Sequence, residues 1–562
     1  MAIVGSVCTD ESLATNPAVT VSINAAAKRR AISPLIYGVN WASTQQLNDL
    51  NSPLNRQGGN ATSRYNWQLN ASNRGRNWYY ESTAKPDPTP GEFGDTFIRD
   101  TRAAGAEPML TIPMLDWIAK LGPNRGKLAG FSIAKYGAQS GNDSEWFPDA
   151  GNGISIDGTY ITNNDPNDTS TPSDSRYQQR WVQHLVSRWG TAERGGLRYY
   201  ILDNEPSVWD GSHRDVHPIG ATMEEVKGRI LDYASRIKEI DPSALVVAPE
   251  ELSWTGFFRS GYDQQWGAKH GWSGPFPDRS AHDGWLYLPW LLDQLRREHE
   301  RTGKRLVDIF SVHYYPKGGD SSDDISVEKQ LLRNRSTRSL WDPSYLDESW
   351  VDDHIQLIPR LRNWVNTYYP GTAIAITEYH WGAEDHISGA TAQADVLGIF
   401  GREGLDIAMR WEAPAVGTPV YNAIKLYRNY DGNKSTFGDV SVSAVVPNPD
   451  EVAAYAAERG ADGALTVMVI SKHLSGDTPA SLELSNFVHD GSAQCWQLTS
   501  SNTITRLSDV AFAGKRLALN LPPQSITLFV FAGGTSKGVP EGPHGATRRL
   551  YQAISQLSAQ TR

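Results

Sequence analysis

Eight short apolar runs, each ending in polar or acidic residues, constrain the fold of this chain most strongly. Segments with helical spacing separate them. Runs buried on both faces and separated by helices are typical of parallel strands in an α/β protein. The runs are LIYGVN (35–40), LNRQGGN (54–60), AEPMLTIPM (106–114), LRYYILDNEP (197–206), ALVVAPE (244–250), VDIFSVHYYP (307–316), AIAITEY (373–379) and IAMRWEAP (407–414). Eight such units predict a (β/α)8 TIM barrel whose carboxyl-terminal strand ends carry the chemistry.

The segments between the runs carry helix signals. In residues 222–240 apolar residues recur at spacings of three and four, Thr222 and Glu225 form a capping box, and Pro242 follows the end. Residues 176–189 show the same amphipathic stripe. The long polar segment from about 118 to 175 has no such pattern, and loops of this length are usually functional or mobile.

From about residue 425 the pattern changes to alternation of apolar and polar residues, which is typical of antiparallel strands. The predicted strands are LTVMVI (465–470), SLELSNF (481–487), CWQLT (495–499), KRLALNL (515–521) and SITLFVF (525–531). The segment AVTVSIN (18–24) alternates in the same way ahead of the first barrel strand. We therefore predict a second, all-β sandwich domain built from both chain ends. The expected limits are 1–33 for the N-terminal segment that contributes a strand, 34–424 for the catalytic barrel, 425–533 for the sandwich, and 534–562 for a linker and C-terminal tail.

Composition narrows the range of partners. The net charge of −10 disfavours nucleic acid and anionic membranes, and no apolar run approaches the ~20 residues of a membrane span. Nineteen tryptophans exceed what a core usually needs, and their rings could stack on sugars.

Residues 1–17 do not resemble a signal peptide. Mature secreted chains and cytosolic proteins both begin in this way. We expect a secreted monomer, and leave open whether Cys8 and Cys495 pair.

Two glutamates end predicted strands. Glu205, with Asn204 beside it, follows the fourth apolar run, and Glu378 ends the seventh. Burying a carboxylate costs several kcal/mol unless it is paired or neutralised, so an active site explains both positions better than two solvated strand ends. Opposed strands of one barrel can hold two carboxylates ~5 Å apart, the spacing used in retaining glycoside hydrolysis.

Other polar and aromatic residues lie at strand ends or in the adjoining loops. Each tryptophan taken singly is as well explained by packing, but as a set some would stack on sugar. The candidate substrate-binding residues are Asn60, Asn204, Trp67, Trp117, Trp209, His313, Tyr314, Tyr315, Trp381 and Trp411. Asn60 follows Gly58-Gly59, which would either let substrate approach the backbone or form a tight turn.

One loop has the composition of a calcium site. Asp149, Asn152 and Asp157 lie among glycines in PDAGNGISIDG (148–158), the oxygen-rich composition of a calcium loop. The segment lacks the closing glutamate of an EF-hand, so a solvated turn is the alternative. No GxGxxG, P-loop or HExxH motif is present, and we expect no organic cofactor.

Several motifs resemble a known family. DNEP (203–206), HYYP (313–316) and ITEY (376–379) resemble the clan of retaining (β/α)8 glycosidases. More narrowly, the segments 55–82, NNDPNDTS (163–170) and YYILDNEPSVWDGSHRDVHP (199–218) look like glycoside hydrolase family 44. That resemblance implies an endo-acting β-1,4-glucanase, with xyloglucan, xylan or mannan as further substrates, and allows a structural calcium.

The resemblance also implies roles for individual residues. Glu205 would be the general acid/base, protonated near neutrality, and Glu378 the ionised nucleophile, which asks for opposite pKa shifts. Asn204 would bind the 2-hydroxyl of the sugar being cleaved, and Tyr314 or His313 would orient the nucleophile. Trp411 would form the floor of the subsite that holds this sugar. Two alternatives stay open: an exo-acting hemicellulase such as an α-L-arabinofuranosidase, and a non-catalytic carbohydrate-binding protein.

Overall fold

The computed structural model describes residues 15–487, 491–512 and 515–533. Cys8 and the segment 534–562 lie outside the described residues, so the predictions that concern them are not tested. Cys495 is buried in the second domain. Within the described ranges, no helix is long and apolar enough to cross a membrane.

The eight predicted strands close into a barrel. Each strand pairs in parallel with its two neighbours, and the eighth pairs with the first. In chain order the barrel strands are Gly38–Asn40, Leu54–Gln57, Glu107–Ile112, Tyr199–Leu202, Leu245–Leu252, Ile309–Tyr314, Ala373–Tyr379 and Ile407–Arg410. The predicted fold class is therefore confirmed. The first strand is shorter than its apolar run, because Pro34–Tyr37 form a 3-10 helix capped by Ser33.

Helices surround the barrel. Those that follow the eight strands and cover them are Thr44–Leu50, Glu92–Ala103, Ser175–Trp189, Met223–Ile240, Tyr287–Thr302, Leu357–Tyr368, Ile387–Glu403 and Pro419–Arg428. Further helices occupy the loops, namely Ile133–Tyr136, Trp209–Ser212, Ser253–Phe258, Gly261–His270, Pro277–Ala281 and Val327–Ser336. Thr222 caps its helix, accepting a hydrogen bond from the backbone N–H of Glu225 at 3.1 Å. The Glu225 carboxylate accepts from Arg229 and lies 2.9 Å from His217 instead of completing the predicted capping box.

The loop after the third strand is ordered by short strands. Trp117–Ala119 pairs with Ser170–Pro172, and Asn142–Asp143 pairs with Phe147–Gly151. Leu128–Ala129 joins Glu81–Ala84 and Ala71–Asn73 in a three-stranded sheet. The long polar segment thus folds as a small cap together with the loop that follows the second barrel strand.

The second domain is a ten-stranded sheet in two halves that share strand Val440–Val445. Besides Val19–Asn24 and Arg30–Ala31, the other strands are Val452–Arg459, Ala464–Ser471, Thr478–Ser485, Gly491–Leu498, Thr505–Phe512, Arg516–Leu521 and Ser525–Phe531. As predicted, the N-terminal strand belongs to this domain, but it lies parallel to Thr478–Ser485 and antiparallel to Val440–Val445. Buried residues of both halves, such as Val21 and Val467, share one core, which makes the domain a sandwich.

The sandwich packs on the barrel through helix Ile387–Glu403, which is almost entirely buried. Within that interface Asp395 accepts hydrogen bonds from Lys472 Nζ at 2.7 Å and Tyr455 Oη at 2.6 Å. The last barrel helix, Pro419–Arg428, extends past the limit expected at residue 424. The domain limits drawn from the sequence otherwise stay predictions.

Candidate active site

The carboxyl ends of the fourth and fifth barrel strands have unusual backbone geometry. Asp203, Glu205 and Glu250 all adopt positive φ, at 56°, 47° and 57°. The Asp203 carboxylate accepts hydrogen bonds from the backbone N–H groups of Met114 at 2.5 Å and Asn204 at 2.8 Å, and these bonds hold the turn. Non-glycine residues in this conformation cost about 1–3 kcal/mol and are concentrated at functional sites.

The strand pairing is irregular at the same height. Register shifts occur between Pro249 and Glu251, between Val312 and His313, and between Ile376 and Tyr379. Bulges re-aim side chains and are common next to active sites. Here they accompany a cluster of charged side chains at one end of the barrel.

Glu205, His313 and Glu378 form the centre of that cluster. One oxygen of each carboxylate and one nitrogen of the imidazole all lie within 4.8 Å of one another. His313 Nδ1 is 2.8 Å from Glu205 Oε1 and 3.5 Å from Glu378 Oε2. All three side chains are nearly buried, with Glu205 the most exposed at 9%. The structure therefore brings the two predicted carboxylates together with one of the predicted strand-six residues.

Arg56 on the second strand links this centre to two acids. Its Nη1 lies 2.7 Å from Glu378 Oε1 and its Nη2 lies 2.6 Å from Glu250 Oε2, and Nη1 also donates to Asn40 Oδ1 at 2.9 Å. A side chain on Gly58 would collide with the guanidinium, so this glycine makes room for Arg56 rather than for substrate. Sequence reasoning missed Arg56, although it lies inside the second apolar run.

Glu250 is a third carboxylate at the site, and it too was missed. It is completely buried at the end of the fifth strand, with Oε2 3.2 Å from His313 Nε2. Thr377 Oγ1 donates to its Oε1 at 2.9 Å. The signal that could have found it is the one used for Glu205 and Glu378, an acid ending an apolar run.

These contacts set the charge states. Burial alone would lower the pKa of His313, but Glu378, Glu205 and Glu250 outweigh burial and raise that pKa to about 10. Burial alone would raise the pKa of Glu250, but Arg56 and His313 lower it to about 2. For Glu378, burial outweighs His313 and Arg56, so its pKa lies above the ordinary value. This direction is opposite to the one that the nucleophile role led us to expect.

Four other predicted residues lie around the carboxylates. Tyr315 Oη donates to Glu378 Oε2 at 2.7 Å. Asn204 Nδ2 donates to Asn60 Oδ1 at 3.0 Å, which joins the fourth strand to the loop after the second. The Trp411 ring stands against Gly59, where an added Cβ would come within 2.5 Å of it. Their contacts with substrate stay predictions.

Other predicted aromatic residues serve packing instead. Trp209 is fully buried and its Nε1 donates to the backbone oxygen of Asn204 at 2.9 Å, so it supports the strand end from behind. Trp381 and Tyr314 are 2% exposed, and their ring centroids lie 5.7 Å apart, outside the barrel interior. None of the three exposes a ring face in this structure, which favours packing, and their assignment to substrate binding stays a prediction.

Trp67 and Trp117 are half-buried in the loops. The Trp67 ring packs against Tyr177 and His184 of helix Ser175–Trp189, with centroids 6.0 and 5.8 Å apart. Trp117 begins a short strand and packs against the main core. Among the described residues, no hydrogen bond or ring contact joins either tryptophan to the carboxylates, and their role in substrate binding stays a prediction.

The residues expected to bind calcium use their oxygens elsewhere. Asp149 Oδ1 accepts from the Ala134 N–H at 2.8 Å, Asn152 Oδ1 from Ile154 at 3.0 Å, and Asp157 Oδ1 from Thr159 at 3.0 Å. The Asn152 and Asp157 oxygens serve their own turns, and the Asp149 oxygen binds the first turn of helix Ile133–Tyr136, so this set fits a cation poorly. The calcium expectation stays a prediction.

A different pair in the cap fits a cation better. Both oxygens of Glu81 and Oδ2 of Asp143 are buried and make no hydrogen bond to the described residues. Lys127 Nζ lies 3.3 Å from Glu81 Oε2. Burial, with Asp143 beside it, raises the pKa of Glu81 to about 7. A bound cation would neutralise this pair and tie two strands of the cap together.

A closed parallel barrel with two glutamates facing each other at its carboxyl end defines a glycosidase-type active site. Comparisons with known proteins identify the family. The pattern of glycoside hydrolase family 44 matches residues 71–318. Endoglucanase A of Paenibacillus lautus is 31% identical over 539 residues, covering 90% of this chain and 71% of the relative. This chain therefore belongs to glycoside hydrolase family 44 and is a glycoside hydrolase.

Solved structures of similar proteins agree with this family assignment. CelM2, a bifunctional glucanase-xylanase protein from a metagenome library, has a TM-score of 0.91 and 63% identity, covering 92% of this chain and 100% of its own. A family 44 xyloglucanase from Paenibacillus polymyxa has a TM-score of 0.77 and 28% identity, covering 92% and 100%. An α-L-arabinofuranosidase from Thermotoga maritima, at 12% identity and a TM-score of 0.55, shares the fold alone.

Proposed function

We propose that this protein is a retaining, endo-acting β-1,4-glucanase in which Glu205 is the general acid/base and Glu378 the nucleophile. The observation that carries the proposal is the separation of the two carboxylates: one oxygen of Glu205 and one oxygen of Glu378 lie within 4.8 Å of each other. Retaining glycosidases hold the pair ~5 Å apart, whereas inverting enzymes need ~6.5–9.5 Å to admit a water molecule.

In the first step, Glu378 attacks the anomeric carbon while Glu205 gives its proton to the glycosidic oxygen. The bond between carbon and leaving oxygen breaks, and a glycosyl-enzyme ester forms. Arg56 and Tyr315 each bind one oxygen of Glu378 at 2.7 Å, which fixes the carboxylate for attack. Asn204, anchored by Asn60, would meet the 2-hydroxyl of the sugar.

In the second step the charges are redistributed. The ester at Glu378 carries no charge, so the ionised Glu205 no longer faces an anion and can take a proton from water. The resulting hydroxide attacks the anomeric carbon and releases Glu378. The product keeps the anomeric configuration of the substrate.

The substrate class follows from the relatives. They are named as an endoglucanase, a xyloglucanase and a glucanase-xylanase, and β-1,4-linked glucan is the backbone that we infer for this chain. An exo-acting hemicellulase stays the second candidate because the arabinofuranosidase shares the fold. Intact Glu205 and Glu378 in hydrogen-bonded positions argue against a binding protein that has lost its catalytic groups. Secretion and a monomeric state stay predictions.

The test compares the viscosity of soluble carboxymethyl cellulose with the reducing ends released, for wild type and Glu378→Gln. We expect viscosity to fall steeply while few reducing ends appear, in the wild type only. Reducing ends that rise at constant viscosity would show exo action. If neither changes, xyloglucan, arabinoxylan and mannan are assayed in the same way, and inactivity on all of them would contradict the proposal.

A further inference from the structure

The protein holds three buried carboxylates and two buried cations in one hydrogen-bonded group at the barrel end. The three acids are Glu205, Glu250 and Glu378, and the cations are Arg56 and His313. Retaining hydrolysis uses only two of these acids. The reaction itself therefore gives Glu250 no role.

We propose that Glu250 is a positioning residue whose buried carboxylate holds Arg56 and His313 together and thereby keeps the single proton of the catalytic pair on Glu205. The proposal rests on the function proposed above. It deepens that function by adding a third carboxylate that acts only through its two cationic neighbours.

The contact between the two cations is the first support. Arg56 Nη2 and His313 Nε2 lie 3.3 Å apart, and both face the same oxygen, Glu250 Oε2, at 2.6 and 3.2 Å. Two positive groups at this distance repel each other unless an anion lies between them. The position of Glu250 Oε2 meets that requirement.

Glu250 is also held firmly. Thr377 Oγ1 donates to its Oε1 at 2.9 Å, and its own N–H donates to Ser311 Oγ at 3.1 Å. These bonds tie the fifth strand to the sixth and seventh. The carboxylate is completely buried, so it cannot turn away from Arg56 and His313 to reach water.

The balance of charge is the second support. When Glu250 and Glu378 are ionised and Arg56 and His313 are protonated, the group has no net charge with a proton on Glu205. The high pKa of His313 and the low pKa of Glu250 fit these states. The raised pKa of Glu378 does not, so the ionised state of Glu378 rests on the bonds that Arg56 and Tyr315 donate to its two oxygens. Removing the charge of Glu250 leaves one uncompensated positive charge, which favours loss of the Glu205 proton.

Other titratable groups face Glu205, but none of them supplies the negative charge that Glu250 supplies near pH 7. The groups that face Glu205 besides Glu378 are His313, Tyr315, Lys317 and Glu251. Burial raises the pKa of Glu251 to about 8, so this residue is neutral near pH 7. Burial raises the pKa of Tyr315, which also stays neutral. Burial lowers the pKa of Lys317, and this side chain makes no ion pair among the described residues.

The test is the pH dependence of kcat/KM for wild type and Glu250→Gln on two substrates. One is soluble glucan, whose leaving group needs the acid; the other is 2,4-dinitrophenyl β-cellobioside, whose leaving group does not. For the glucan we expect the alkaline limb of Glu250→Gln to move to lower pH by about one unit or more, with activity at pH 7 reduced by about 10²-fold. The loss on the dinitrophenyl substrate stays below about tenfold.

Glu251→Gln is the matched control. It is the next residue on the same strand and equally buried, but it contacts Ser207 rather than Arg56 or His313. Its alkaline limb is expected to stay in place. An unmoved limb in Glu250→Gln, or equal losses on both substrates, would overturn the proposal and leave Glu250 a structural residue.

A measurement on the wild type covers the case in which Glu250→Gln does not fold. NMR of the protein with labelled histidine, assigned with His313→Gln, should show His313 as imidazolium at pH 8. A neutral ring at that pH would overturn the proposal. Failure of the proposed function is distinguishable, because it would appear as full glucan hydrolysis by Glu378→Gln whatever the state of His313.

Discussion

The inside of the barrel differs sharply between its lower layers and its carboxyl end, although the same eight strands form both. The lower layers are apolar and buried, as at Met109, Ile201, Val247, Ile309 and Ile407. The upper layer is equally buried but charged. In the sixth strand alone, the inward positions pass from an isoleucine at residue 309 to a histidine at 313.

This difference separates stability from chemistry. Apolar burial contributes about 25 cal/mol per Å² and holds the strands at fixed positions. A buried ion-pair network contributes little net stability, since desolvation offsets the attraction, but removing one member leaves an unpaired charge. The apolar lower layers thus stabilise the strands, and the strands hold the charged side chains of the upper layer in fixed positions away from water.

The largest effect is expected in the upper layer itself. Glu378→Gln removes the attacking carboxylate, so kcat on glucan should fall by at least about 10⁴-fold. Circular dichroism and oligosaccharide binding should stay close to wild type, because Gln keeps the shape of the side chain. Substantial residual turnover by pure variant would mean that another residue is the nucleophile.

The opposite effect is expected one layer lower. Met109→Ala leaves a cavity in the apolar interior and should lower the free energy of unfolding by about 2–5 kcal/mol. The kcat of the folded variant should stay within about threefold of wild type, since no charged group has moved. Urea unfolding and initial rates at 25 °C measure the two quantities. A loss of kcat with unchanged stability would contradict the division between layers.

A smaller catalytic effect is expected at Tyr315. Tyr315→Phe removes the hydrogen bond to Glu378 Oε2 and should lower kcat by about 10–10²-fold. Tyr314→Phe is the control, because the neighbouring ring points away from the carboxylates and packs on Trp381. Equal rates for both variants would show that the Tyr315 bond does not matter in catalysis.

The smallest effect concerns pH and stability. Glu251 is uncharged when folded, because burial raises its pKa to about 8, whereas an unfolded glutamate titrates near 4.3. Its contribution to stability is therefore complete below about pH 4 and is lost as pH rises towards 8, at up to about 1.4 kcal/mol per pH unit. Glu251→Gln should lack this decline in urea unfolding between pH 5 and 8. If the free energy of unfolding falls with pH in the same way for variant and wild type, the prediction is contradicted.

Much of the fold could be predicted because apolar runs and their polar ends repeat eight times. The site was predicted where an acid or amide ends a run, as at Asn204, Glu205 and Glu378. Arg56 could not be found in this way, since an arginine inside a strand reads as an exposed face until its partners are known. Glu250 carried the same signal as Glu205 but was not separated from an ordinary strand end.

The aromatic residues show where sequence reasoning fails. Trp209 and Trp411 both follow a strand end, yet one is completely buried and the other stands against Gly59 at the barrel mouth. Which ring faces solvent depends on how the loops pack, and that packing involves residues far apart in the chain. Four sandwich strands, Arg30–Ala31, Val440–Val445, Val452–Arg459 and Thr505–Phe512, were missed as well. Residues 440–444 alternate (VSVSA), residues 452–457 are almost continuously apolar (VAAYAA), and residues 505–512 alternate only weakly.

The most direct test of the account is the stereochemistry of cleavage, followed by proton NMR from the first minute of hydrolysis of a β-1,4-glucan oligosaccharide. Two carboxylates whose oxygens lie within 4.8 Å predict that the β-anomer of the new reducing end appears first and then mutarotates. If the α-anomer appears first, water attacks directly, Glu378 is not a nucleophile, and the retaining mechanism is wrong.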